Sequence, residues 1–133
     1  MVVILWMLLI FYLSSQIGKQ SDQLSIGITT IIVRTIEQIL PKLNVDISYL
    51  NSIVRKITHF LIYLVLGFLV MNALMKSYKS GVKFYIISAL LICMIYAISD
   101  EIHQLFIPGR GAHLTDVIID IFGSIFGIGI LAL

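Results

Sequence analysis

Four separated stretches of this chain carry side chains able to move protons or hold anions, and each adjoins an apolar run. Arg55, Lys56 and His59 open one run, and Asp100-Glu101-Ile102-His103-Gln104 closes another. Asp116 and Asp120 open a third, while Ser15 and Gln16 follow a fourth. Pro108-Gly109-Arg110 stands between the second stretch and the third. Two histidines with several carboxylates suit general acid–base chemistry, because carboxylates that share a site hold their protons to different degrees. Arg55, Lys56 and Arg110 suit a phosphate or an oxyanion. No Ser or Cys stands beside these groups as an obvious nucleophile, so hydrolysis by activated water is the reaction class that fits. His59, Asp100, Glu101, His103 and Asp116 are therefore the candidate catalytic residues. Arg55, Lys56, Gln104, Arg110, Asp120 and Gln16 are the candidate ligand-binding residues. A metal could be drawn in through His59, His103, Asp100, Glu101 and Asp116, but their spacing matches no established zinc pattern such as His-Glu-x-x-His. Neither a metal nor another cofactor is expected.

These groups must be positioned by an unusually apolar chain. Of its 133 residues 59% are hydrophobic and 12% charged, and its mean hydropathy is +1.06, too little polar surface for a soluble domain. An ionisable side chain in lipid costs roughly 2.5 kcal/mol or more at depth, so a membrane protein that gathers several is using them. The size suits a single domain over residues 1–133. No basic run with interleaved aromatics points to nucleic acid, and no glycine-rich phosphate loop is present. Cys93 is the one cysteine, set in an apolar stretch, which excludes an intramolecular disulfide and suits a packing role.

A helix rises ~1.5 Å per residue and the hydrocarbon layer is ~30 Å thick, so roughly 17 to 25 apolar residues cross it. Residues 1–13, extended by the mildly polar 14–18, form a short first span with no basic leader or cleavage site. Residues 57–75, 84–99 and 114–133 supply three more. Between the first two spans, Ile28, Ile31, Ile32, Ile36, Ile39 and Leu40 recur at helical spacing up to Pro41. Arg34 and Glu37 argue against a crossing there, and a one-sided apolar face suits an interfacial helix or a re-entrant segment. The expected fold is thus an all-α membrane bundle of about four transmembrane helices, with an interfacial amphipathic helix between the first and second.

Alternate crossings bring all four polar stretches to one side of the membrane. Arg55, His59, Tyr63 and Gly67 share one helix face, and Asp116, Asp120, Gly123 and Gly127 share another. Asp120 lies ~6 Å deeper than Asp116 and needs a partner, for which Arg55, Lys56 and Arg110 are the candidates. Glycines four apart admit a neighbouring backbone and could serve a homodimer as well as the internal bundle. Tyr63 and Tyr96 read as interfacial or packing residues. Pro108-Gly109 suits a tight return turn. The connector with Lys76, Lys79 and Lys83 carries no acid, which places it and both termini in the cytoplasm and the polar cluster outside. Lys19, Arg34, Lys42, Arg55 and Lys56 on the other side weigh against this assignment.

Ser14-Ser15-Gln16, Arg55-Lys56-x-x-His59-Phe60-x-x-Tyr63-x-x-x-Gly67, Asp100-Glu101-x-His103-Gln104, Pro108-Gly109-Arg110 and Asp116-x-x-x-Asp120-x-x-Gly123 together resemble the VanZ-like family. That family is named for a protein giving low-level resistance to the glycopeptide teicoplanin. The resemblance implies a multi-pass protein of a Gram-positive-type cell membrane and supplies no agreed reaction. Membrane lipids and a lipid-linked envelope precursor or lipoglycopeptide are the implied partners. Two functions follow for the polar cluster. One is a membrane-embedded hydrolase; the other is a binding module that holds a lipid headgroup or a lipoglycopeptide without chemistry. A transporter is the weaker third class, because the charges sit near one face and form no relay.

Overall fold

The computed structural model describes residues 1–16, 18–39, 46–109 and 111–133, with the side chains of residues 18–22 and 24 outside that description. Leu40, Pro41 and Arg110 also lie outside it. The described residues form five helices and no strand: α1 (Val2–Ser14), α2 (Gly18–Ile39), α3 (Ile47–Ser77), α4 (Val82–Gln104) and α5 (Leu114–Ala132). Of these, α3, α4 and α5 are long and apolar enough to cross a membrane. The 13 residues of α1 are apolar but give only ~20 Å of helix, short of a full crossing. At 31 residues α3 is longer than one crossing requires. Its start is fixed by Asp46, whose carboxylate accepts from the Ser48 amide at 2.9 Å.

The tightest contact is between α3 and α5. A Cβ added to Gly123 would overlap the carbonyl of Phe60, one added to Gly127 would overlap that of Leu64, and one added to Gly67 would overlap the backbone of Ser124. Both partners of these contacts advance together along the chain, so α3 and α5 run in the same direction. The glycine stripe is therefore used inside the chain, against α3. Phe60 and Phe126 close the seam edge to face, with ring centroids 5.6 Å apart.

The other helices are tied on by side chains that reach backbone carbonyls. The Trp6 indole donates to Ile62 O at 3.0 Å, and the Tyr96 hydroxyl donates to Met7 O at 2.6 Å. Both hold the short α1 in the groove between α3 and α4. At the opposite end of the bundle from the acidic and histidine side chains, Tyr85 donates to Tyr78 O and accepts from the Ser80 amide, each at 2.7 Å. This closes the short α3–α4 connector, along which Lys76, Lys79 and Lys83 stand exposed. After α4 the chain turns in steps of three residues, and Gly109 adopts φ 79, a left-handed conformation open to glycine at little cost.

α2 begins well before the apolar repeat expected from the sequence, and it packs chiefly on α3. Among its described side chains Thr29 and Val33 are buried, whereas Ile28, Ile31 and Ile39 stay exposed. The stripe that meets the protein is therefore offset from the most apolar one.

The glycine seam makes a direct prediction. Gly127→Ala should lower stability by ~1–3 kcal/mol, as overpacking does. Gly129→Ala, whose added Cβ meets nothing within 4 Å, should be neutral. Thermal unfolding of the two purified variants in one detergent compares them.

Candidate functional site

The α3–α5 seam dictates the central pair of the site. Gly123 rests on the carbonyl of Phe60, next to His59, and Asp120 lies one turn before Gly123 on the same face. Asp120 Oδ1 accordingly meets His59 Nδ1 at 3.1 Å. Asp120 is 1% exposed, and this is the one ion pair among the described residues. The partner expected from sequence was Arg55, Lys56 or Arg110; the structure supplies His59 instead, because backbone packing sets the register before charge can choose. Arg110 lies outside the described residues.

A second pair sits on α4. Gln104, fully buried, donates through Nε2 to Asp100 Oδ2 at 3.3 Å. Asp100 and Gln104 are four residues apart and so share a face, which points at α1 and α3.

The two pairs meet at a cavity of about 280 Å³ enclosed by α1, α2, α3 and α4. Its polar lining includes Ser14, Gln16, Arg55, His59, Tyr63, Asp100 and Gln104, and its apolar lining includes Ile10, Leu13, Ile28, Val54 and Ile62. Since His59 Nδ1 faces Asp120, Nε2 is the ring nitrogen left for anything bound there. A carboxylate that holds an imidazole in one orientation leaves the far nitrogen able to accept or give a proton.

The expected convergence holds for only part of the candidate set. His59, Asp100, Arg55, Gln104 and Gln16 line the cavity, with Asp120 behind His59. Glu101 and His103 are on other faces of α4, because successive residues turn by about 100° around a helix. Glu101 Oε1 accepts from the backbone amide of His113 and so ties the incoming loop to α4 just before α5. Glu101 borders a separate shallow groove between α4 and α5, with Ile98, Ile102 and Leu114. His103 stacks on Phe11 with ring centroids 4.5 Å apart and helps clamp α1 to α4. Asp116 is buried in the first turn of α5, outside the cavity lining. Lys56 is exposed. No three His, Cys, Asp or Glu side chains among the described residues gather as a metal site.

Tyr63 and Ser14 line the cavity although neither stood among the candidate residues. Tyr63 read as a packing residue, yet it lines the cavity at 1% exposure; its place four residues after His59 was the available signal. Ser14 lines the cavity while Ser15 turns back to donate to Tyr12 O at 2.8 Å, and nothing in their types distinguishes the two.

Fold and site together define a helical protein with membrane-length helices and, at one end of its bundle, a cavity lined by both apolar and polar side chains. The family model described as VanZ/LLP1 matches residues 1–133, and the chain belongs to the VanZ/LLP1 family. Comparison with curated proteins and with solved structures returned no match.

If Asp120 holds the His59 ring, the two should be energetically coupled. A double-mutant cycle with His59→Ala and Asp120→Ala is expected to give a coupling of ~1–2 kcal/mol, the upper range for hydrogen-bonded pairs inside membrane bundles. Unfolding midpoints of the four proteins measure it, and strictly additive losses would reject the pairing.

Proposed function

We propose that this protein is a cell-envelope membrane protein that takes an amphiphilic ligand, lipid-linked or glycopeptide-related, into the cavity beside His59 and contributes to low-level teicoplanin resistance. The observation that carries this reading is the composition of the cavity wall. Charged and amide groups, chiefly from α3 and α4, share the lining with the aliphatic side chains of Ile10, Leu13, Ile28, Val54 and Ile62, a mixture that suits a ligand with a polar head and an apolar chain. Teicoplanin bears an acyl chain.

In the catalytic form of the reading, His59 Nε2 takes a proton from a water molecule while Asp120 steadies the imidazolium. Arg55 then stabilises the oxyanion that forms when the water attacks. Asp100 acts with Gln104 in holding the polar head. The alternative is a binding module that holds the headgroup or lipoglycopeptide without chemistry, and the aliphatic walls serve it equally well. His103, Glu101 and Asp116 support the site from outside the cavity in either form.

The membrane orientation belongs to the same proposal. α1 serves as a fourth, short crossing, the lysine-bearing α3–α4 connector and both termini are cytoplasmic, and the cavity opens outward. Cys93, the sole cysteine, is 1% exposed, so introduced cysteines report against a quiet background. In intact cells a membrane-impermeant thiol reagent should label Tyr49→Cys and spare Lys79→Cys. The reverse pattern rejects this orientation.

The functional test is teicoplanin susceptibility of a sensitive Gram-positive host expressing wild type, His59→Ala or no protein, with membrane levels matched. Wild type is expected to raise the inhibitory concentration severalfold and His59→Ala to abolish the gain, as loss of an acid–base group typically costs about 10²-fold or more in rate. A binding module would instead retain part of the protection, in proportion to residual affinity.

A further inference from the structure

Among the described residues, three buried polar atoms on cavity side chains lack a hydrogen-bond partner: Arg55 Nε, Tyr63 Oη and Gln104 Oε1. Tyr63 is 1% and Gln104 0% exposed, so bulk water does not satisfy them. Leaving such a group unpaired costs more than one made hydrogen bond returns, so three of them on the lining of one cavity suit a ligand that pairs them. Their chemistry is not uniform. Arg55 Nε and the Tyr63 hydroxyl offer protons. Gln104 Oε1 accepts one, because the Gln104 NH₂ group is already turned to Asp100 Oδ2.

Resting on the functional reading above, we infer that the cavity selects a phosphodiester lipid whose headgroup carries a hydrogen-bond donor beyond the phosphate. The phosphate oxygens accept from Arg55 and Tyr63, and the distal donor reaches Gln104 Oε1. The first segment of an acyl chain lies along Ile10, Leu13 and Ile62. Charge agrees with this division, since the Arg55 guanidinium answers the phosphate. The cavity, at about 280 Å³, has room for a headgroup and the start of one chain and not for a whole lipid, so the remaining chain length stays in the bilayer. A hydroxyl and an ammonium group satisfy the same acceptor, and the test separates them.

The purified full-length protein is reconstituted in phosphatidylcholine vesicles doped with phosphatidylethanolamine or phosphatidylglycerol of identical chains, and retained lipid is counted by native mass spectrometry after transfer to detergent. Phosphatidylcholine has the phosphate but no donor. Retention of either doped lipid over phosphatidylcholine by about tenfold, the value of one good hydrogen bond, supports the inference, and which of the two is kept identifies ammonium or hydroxyl as the source. Tyr63→Phe, which keeps the ring and its packing, should weaken retention of every lipid by about tenfold, and Gln104→Leu should erase the preference over phosphatidylcholine. Equal retention of all three lipids, still weakened by His59→Ala, overturns the headgroup selection and leaves the functional reading intact. Retention of none, or retention indifferent to both His59→Ala and Tyr63→Phe, overturns the two together.

Discussion

The close approach of α3 and α5 governs the rest of the molecule. In lipid there is no hydrophobic drive to bring two helices together, so association depends on packing contact and on polar groups that find each other. Gly67, Gly123 and Gly127 remove the side chains that would hold the backbones apart. The register is then fixed to within a residue, since a shift of one position would drive the Phe122 or Ser124 side chain into the space Gly123 leaves. Asp120 and His59 meet as a consequence of that register, and the acid in turn secures the imidazole. Packing and polar pairing reinforce each other at one point.

α4 plays a different part. Its polar end is distributed around the helix, and each face performs a separate task. Asp100 and Gln104 look inward to the cavity, Glu101 anchors the loop before α5, and His103 grips Phe11 of α1. Three ionisable groups within one turn are thus explained without all of them doing chemistry. Each finds a partner or a clamp, which is how a bundle in lipid tolerates such groups. The tethers from Trp6 and Tyr96 to backbone carbonyls follow the same economy, giving a short helix fixed positions in place of a large buried face.

The cavity arises where these constraints leave a gap. α1 ends at the level of the polar residues, and α2 crosses nearby with Ser25 and Ile28 at the cavity rim. α3, longer than one crossing, carries Val54 and Arg55 on the stretch that α2 packs against. The result is a space at one end of the bundle lined by both aliphatic and polar side chains.

Composition and hydrophobic run length were enough to determine an all-helical membrane architecture, because lipid leaves the backbone few alternatives and span length is arithmetic. The polar stretches, the glycine stripe, the Pro108-Gly109 turn and family membership were equally legible in residue order. The partner of Asp120 was not. Charge alone favoured an arginine or lysine, whereas the α3–α5 backbone contact placed His59 there, and that contact involves residues about 60 positions apart. Nor could the sequence sort Asp100 and Gln104 from Glu101 and His103, since helical periodicity orders side chains around an axis without saying which neighbour each direction meets. Tyr63 and Ser14 joined the site for the same reason. Which residues are polar is a property of the chain, but which of them face one another depends on how the helices are rotated and paired, and only the packed bundle decides that.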